Sequence, residues 1–103
     1  NADLVIRPFA LANGAAGTAL QCGADNMVES MLVVGGDLYV GTAANKVLKF
    51  TGGSGTAEEL ALTATVSAGG VTSLVSDGTH LFVAGDTIVE RVKLADFTLD
   101  GTQ

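Results

Sequence analysis

Apolar residues recur at every second position over much of the chain, which is the spacing of β-strands. In the segment 38–42, Leu38 and Val40 fall on one face and Tyr39 on the other. Val, Thr and Gly are abundant, and apolar spacing near 3.6 is rare. The best helical candidate is the segment 56–62, which begins with a threonine able to cap a helix, but spacing by two continues through it. We therefore predict an all-β chain.

Two stretches, 28–42 and 71–85, share one pattern at a shift of 43 residues. Beyond them, one inserted residue makes the shift 44, which matches Leu48 with Val92 and Lys49 with Lys93. A shorter copy begins the chain, because "VIRPF" near the start is similar to "VLKF" further on, and "GTA" follows each. The identical pairs in the two long stretches are Val28/Val71, Ser30/Ser73, Gly35/Gly78, Leu38/Leu81 and Val40/Val83.

We predict one all-β domain over residues 1–103, with a partial repeat at 1–27, a first full repeat at 28–70 and a second at 71–103. Each full repeat contains four short strands separated by glycine-rich turns, since glycine reaches positive φ without steric cost. The predicted strands are 28–34, 38–42, 46–50 and 58–66 in the first repeat, and 71–76, 80–85, 87–94 and 97–101 in the second.

The run "SLVSDGTHLFVAGDTIVERVKL" at 73–94 resembles a β-propeller blade, and the resemblance spans about residues 28–95. It points to no particular family, and it differs from the WD40 type because the chain has no Trp. The resemblance implies antiparallel four-stranded units. The residues that carry it are Ser30, Gly35, Gly36, Leu38, Tyr39, Val40, Gly41, Thr42 and Lys49 in the first repeat, and Ser73, Asp77, Gly78, Leu81, Phe82, Val83 and Lys93 in the second.

The number of repeats leaves three architectures open, because about 2.4 units fall short of the roughly four blades of a closed propeller. Several chains could close a ring, with the N-terminal half-unit completing a blade begun by a neighbour's C-terminus. The chain could be a piece of a longer propeller. About ten strands could instead close as a β-sandwich or barrel. Strand edges left unpaired would invite association with other chains.

Composition narrows the class of partner. The net charge of −6 argues against binding nucleic acid or an anionic membrane surface. The sequence has no apolar stretch near 20 residues, so we predict no membrane span. The chain begins at Asn1 and not Met and has few Lys, which favours a secreted bacterial protein, extracellular or periplasmic, with its signal peptide removed. Cys22, the only cysteine, is predicted to be a small buried residue.

The sequence offers no constellation of catalytic, cofactor-binding or metal-binding residues, so we predict no enzyme, no cofactor and no metal site. His80, the only histidine, is expected in an exposed turn, and the glycine-framed serine elbow is absent. Tyr39 is a minor candidate for presenting a hydroxyl at a site. The acidic residues predicted mostly in turns, where Asp bonds its own backbone, are Asp37, Asp77, Asp86, Asp96 and Asp100.

These observations favour a non-enzymatic structural or protein-interaction module that assembles through sheet edges with copies of itself or with a partner chain. One alternative is a globular accessory subunit of an extracellular bacterial filament or pilus. Another is a lectin-like, ligand-binding propeller fragment with sites between its units.

Overall fold

The computed structural model describes residues 4–6, 20–23, 28–43, 46–53, 57–61, 71, 73–85 and 89–102. Within these ranges the chain is all-β, as predicted, with a short 3₁₀ turn at Thr51–Gly53 and no α-helix. The ten strands are β1 (Leu4–Ile6), β2 (Leu20–Gly23), β3 (Val28–Val34), β4 (Asp37–Thr42), β5 (Lys46–Phe50), β6 (Glu58–Ala61), β7 (Ser73–Ser76), β8 (His80–Ala84), β9 (Val89–Lys93) and β10 (Thr98–Thr102).

The strands form three antiparallel sheets in which neighbours along the chain are also neighbours in space. Strands β1 and β2 form a two-stranded layer, β3 to β6 form the first sheet, and β7 to β10 form the second sheet. The two predicted four-stranded antiparallel sheets are thus confirmed. The alternative of a closed barrel is wrong for the described strands, because hydrogen bonding stops at β6 and does not continue into β7.

Glycine determines the turn at the start of the first sheet. Val34 pairs with Asp37, so Gly35 and Gly36 alone connect β3 to β4. Their φ angles of 58° and 87° place both residues in the left-handed region. A two-residue type I′ turn needs positive φ at both central positions, which glycine adopts without steric cost. The turn predicted from these glycines is therefore present.

Strand pairing follows the repeat in the first two strands of each sheet. Every pairing between β7 and β8 has a counterpart between β3 and β4 at a shift of 43 residues. In the third strand the predicted shift of 44 is wrong, since Tyr39 pairs with Lys49 whereas Phe82 pairs with Arg91 and not Lys93. The shift there is 42. A slip by two positions keeps every side chain on its own face of the sheet, so the register could not be read from the apolar pattern alone.

The three layers stack face to face around two apolar clusters. One cluster lies between the first sheet and the two-stranded layer, where Val40, Leu48 and Phe50 pack against Leu20 and Cys22. The other lies between the two four-stranded sheets, so each face of the first sheet is covered at least in part. The buried residues of this second cluster are Tyr39, Val47, Val71, Leu74, Leu81, Val83, Val92 and Phe97.

Each sheet has the same orientation in the stack. Leu81 and Val83 of the second sheet belong to the cluster between the two four-stranded sheets. Their equivalents in the first repeat, Leu38 and Val40, belong to the cluster that faces the two-stranded layer. Tyr39 lies on the opposite face of the first sheet, toward the second sheet. Each four-stranded sheet therefore turns its Leu-x-Val face toward the preceding layer, and the Tyr39 face of the first sheet meets the second sheet.

Val71 fixes the link between the two sheets. Its backbone N–H donates to the carbonyl oxygen of Thr42 (3.0 Å), and its own carbonyl oxygen accepts from the Ser30 hydroxyl (3.0 Å). The Val71 side chain is fully buried over Gly41. A Cβ atom on Gly41 would lie within 2.7 Å of Val71 Cβ and 2.5 Å of Ser30 Oγ, well inside van der Waals contact. The absence of a side chain at position 41 therefore permits the close approach of the link.

We expect Gly41→Ala to destabilise the protein by about 1–3 kcal/mol, because the added methyl group forces Val71 and the link away from the first sheet. Chemical denaturation measures the free energy of unfolding. The control is the reverse exchange at the repeat-related position, Ala84→Gly, which should cost only the roughly 0.5–1 kcal/mol of glycine in a strand. A Gly41→Ala variant as stable as the parent would contradict the close packing of Val71.

Candidate functional site

A cleft opens between the two four-stranded sheets, beside their first hairpin turns. Its volume is about 380 Å³, and the turn glycines Gly35 and Gly78 lie on its wall. Pockets that combine an apolar wall with a few polar groups are typical of ligand sites. The polar side chains of the lining are Asp37, Tyr39 and Thr79, and the apolar ones are Val34, Leu94 and Ala95.

Tyr39 is the most buried polar side chain of the cleft, with 2 % of its surface exposed. Its ring lies 6.0 Å from that of Phe97, and the Lys49 ammonium lies 6.0 Å and 5.9 Å from the two ring centroids. Lys49 Nζ is also 4.0 Å from Asp37 Oδ2. Burial raises the pKa of Tyr39, and the carboxylates of Asp37 and Glu58 raise it further. The phenol therefore stays protonated at neutral pH and can donate a hydrogen bond.

A second polar cluster joins three strands on the outer face of the second sheet. His80 Nε2 lies 2.9 Å from Asp100 Oδ2, and Arg91 Nε lies 3.4 Å from the same oxygen. Arg91 Nε also donates to the Asp100 carbonyl oxygen at 3.0 Å. His80 Nδ1 lies 3.1 Å from the Thr79 hydroxyl, but that hydroxyl donates to Asp77 at 3.0 Å. The cluster thus ties β8, β9 and β10 together, and the Thr79 proton is directed away from the imidazole.

Asp77 organises the hairpin turn that borders the cleft. Its Oδ1 accepts hydrogen bonds from the backbone N–H groups of Thr79 (2.9 Å) and His80 (2.8 Å). These bonds, followed by that from the Thr79 hydroxyl, lower the pKa of Asp77 from 3.8 to about 2. An Asp that bonds its own backbone is the role predicted for the turn aspartates.

Some of the other residues singled out from the sequence lie where they were predicted, and others do not. Asp96 lies in a turn and accepts from the Thr98 hydroxyl at 2.7 Å, whereas Asp37 and Asp100 lie in strands. His80 is the first residue of β8 and is half-buried, so the expectation of an exposed turn residue is wrong. Cys22 is buried, as predicted. Asp86 lies outside the described residues.

Two buried residues that sequence reasoning did not single out lie between the sheets. Phe97 was placed at the start of a strand, but it lies in the turn before β10 at a φ of 53°, with its ring against Tyr39. Glu90 is 1 % exposed and pairs across the strands with Val83. The sequence pattern predicted neither, because a carboxylate in an apolar interface and a left-handed phenylalanine both go against ordinary preferences.

Among the described residues, large exposed apolar side chains lie on two separate surfaces of the stack. Met31 and Val33 are 54 % and 65 % exposed, on the face of β3 that points toward the two-stranded layer. Val75 is 57 % exposed, on the outer face of the second sheet beside Phe82. In the part of the chain that the structure describes, no other large apolar side chain is exposed to this degree.

Comparison with protein-family models, with curated protein sequences and with solved structures finds no match to this chain. The described segments contain no helix with the length and apolar character needed to cross a bilayer. Among these same segments, no three His, Cys, Asp or Glu side chains come together in a group that could hold a metal ion.

The depressed pKa of Asp77 makes a testable contribution to stability. Because the folded pKa of about 2 lies below the unfolded value near 3.8, the unfolded chain binds the proton more readily. The stabilisation is therefore complete above about pH 5 and is lost as the pH falls toward 2. We expect the difference in stability between the parent and Asp77→Asn to shrink over that range in denaturation measured at several pH values. Asp96→Asn serves as the control, and an unchanging difference for Asp77→Asn would contradict the prediction.

Proposed function

We propose that this protein is a non-enzymatic structural or protein-interaction module that assembles with other protein chains through its sheet edges and the two end faces of its stack. The observation that carries the proposal is the location of the exposed apolar residues. Val75 lies on the outer face of the second sheet, and Met31 and Val33 lie on a part of the first sheet that the two-stranded layer leaves exposed. Exposed apolar patches on an otherwise polar surface commonly mark protein–protein contacts.

The repeat supplies an internal comparison for each end face. Met31 corresponds to Leu74, which is only 7 % exposed because the first sheet covers it. Val75 corresponds to Leu32, which is half-buried and packs into the cluster between the sheets. The exposed positions thus belong to the same kind of surface that this chain buries between its own sheets.

Burial of the exposed apolar side chains would not by itself hold a complex together, so the proposed contacts also need the strand edges. Burial of an apolar side chain contributes about 1.5–3 kcal/mol, so covering the three half-exposed residues contributes roughly 2–5 kcal/mol in total. Association costs about 4–15 kcal/mol in lost freedom of motion. The apolar residues alone therefore do not hold a stable complex. Backbone pairing at an open strand edge supplies the additional interaction that the proposal requires.

Light scattering on a sizing column tests this proposal in its self-assembling form. We expect the parent chain to elute as a discrete multiple of one chain, and Val75→Glu to shift it toward the monomer by placing a charge in the contact. The control is Thr51→Glu, which adds the same charge in an exposed turn. A parent chain that remains monomeric at all concentrations would contradict assembly with copies of itself.

The cleft between the sheets favours a second candidate, the lectin-like binding of a small hydroxylated ligand. Asp37 can accept hydrogen bonds from ligand hydroxyls, and the protonated Tyr39 can donate one. We expect a glycan array to detect binding that Asp37→Asn weakens by about tenfold, as expected for the loss of a charged hydrogen-bond acceptor. The control is Asp96→Asn, which lies outside the cleft lining. An array without signal for the parent would contradict this candidate.

The extracellular or periplasmic location stays a prediction from the sequence. The role as an accessory subunit of a bacterial filament or pilus also stays a prediction from the sequence.

A further inference from the structure

Two side chains that line the cleft have hydrogen-bonding capacity that the described part of the chain does not use. The Tyr39 hydroxyl has no hydrogen-bond partner among the described residues, although Tyr39 is only 2 % exposed. One carboxylate oxygen of Asp37 accepts from the backbone N–H of Gly52 at 2.8 Å. The other lies 4.0 Å from Lys49 Nζ, beyond hydrogen-bond distance. Because a buried tyrosine hydroxyl usually has a partner, the cleft offers a donor and an acceptor to a ligand.

The second sheet shows the repeat-related positions with their polar groups satisfied. The repeat-related pairs are Asp37/His80, Tyr39/Phe82 and Lys49/Arg91. His80 Nε2 and Arg91 Nε both contact Asp100 Oδ2, at 2.9 Å and 3.4 Å. Phe82 has no hydroxyl that would need a partner. The sheet pattern therefore does not require the hydroxyl of Tyr39, which is present in the repeat where this position lines the cleft.

The charges around the cleft favour a neutral ligand. Burial raises the pKa of Tyr39, and the carboxylates of Asp37 and Glu58 raise it further, so both carboxylates act on the hydroxyl. They would repel an anion that accepts a hydrogen bond from Tyr39. A cation would compete with the Lys49 ammonium, which already lies 4.0 Å from Asp37. A hydroxyl group carries no charge and both donates and accepts, so it meets neither obstacle.

We propose that the cleft binds a neutral sugar through two adjacent hydroxyl groups, one accepting from the Tyr39 hydroxyl and the other donating to Asp37. The apolar lining residues Val34, Leu94 and Ala95 contact the C–H groups of the sugar ring. The volume of about 380 Å³ lies within the range of small-ligand sites. This inference rests on the second candidate function, the lectin-like one, and names its ligand class.

Isothermal titration calorimetry tests the inference with glucose, mannose and galactose, each as the free sugar and as its methyl glycoside. We expect at least one of them to bind the parent, and Tyr39→Phe to weaken that binding about tenfold. The uronic acid of the same sugar, with a carboxylate in place of the hydroxymethyl group, should bind at least about tenfold more weakly than the neutral sugar. The matched control is Phe82→Tyr, which adds a hydroxyl at the repeat-related position outside the cleft lining and should leave binding unchanged.

The stability of the free protein separates a binding role of the hydroxyl from a structural one. Because the Tyr39 hydroxyl has no hydrogen-bond partner among the described residues, we expect Tyr39→Phe to raise the unfolding constant by less than about threefold in urea unfolding. A larger increase would show that the hydroxyl stabilises the fold, and it would overturn the inference.

The inference and the proposed function can fail separately. Binding that Tyr39→Phe leaves unchanged, or a uronic acid that binds as tightly as the neutral sugar, would overturn the inference and leave the lectin-like candidate in place. The absence of binding by all three neutral sugars in both forms would also overturn it, and a glycan-array signal confined to acidic glycans would then still support a lectin. Binding of the methyl glycoside supports the end of a glycan chain as the ligand, and binding of the free sugar alone supports a free sugar. Assembly through Val75 is decided by light scattering and depends on none of these results.

Discussion

The second sheet is held against the first at Val71, where the chain passes from one to the other. Both backbone groups of Val71 are hydrogen-bonded, and its side chain fills the space above Gly41. This contact brings β7 against β3 and thereby sets the order in which the other strands face each other. The apolar cluster between the sheets, the cleft at their turns and the exposed end faces all follow from that one alignment.

The stack has a direction, because every sheet turns the same kind of face toward the preceding layer. Such an arrangement has no natural end: a face suited to packing remains at each side, as Met31 and Val75 show. A head-to-tail arrangement of identical contacts either closes into a ring or continues as a filament. Under the proposed function, a partner at one end would therefore be chemically unlike a partner at the other.

Strand positions were predictable because alternation and glycine turns are local signals. Gly35 and Gly36 determine a turn type by themselves, and the strand predicted at 28–34 coincides with β3. The pairing of β5 and β9 was not predictable, because a slip by two residues leaves every side chain on its own face. The choice between the registers is made by tertiary packing.

The candidate site was less predictable than the fold. Tyr39 was recognised as a hydroxyl that a site could use, but its partner Phe97 comes from a turn some 60 residues away in the sequence. The bond between His80 and Asp100 likewise joins strands whose distance in space no local pattern reveals. Long-range contacts of this kind depend on how sheets stack, and alternation along a single strand does not encode them.

The buried thiol of Cys22 gives the molecule a built-in reporter. Burial raises the pKa of Cys22, so the reactive thiolate is disfavoured while the two-stranded layer packs against the first sheet. As the only cysteine in the chain, it is the one thiol that a reagent can modify, and its labelling rate reports on these openings together with global unfolding, which denaturation measures by itself. The local free energy of the outermost layer can therefore be read separately from that of the whole fold.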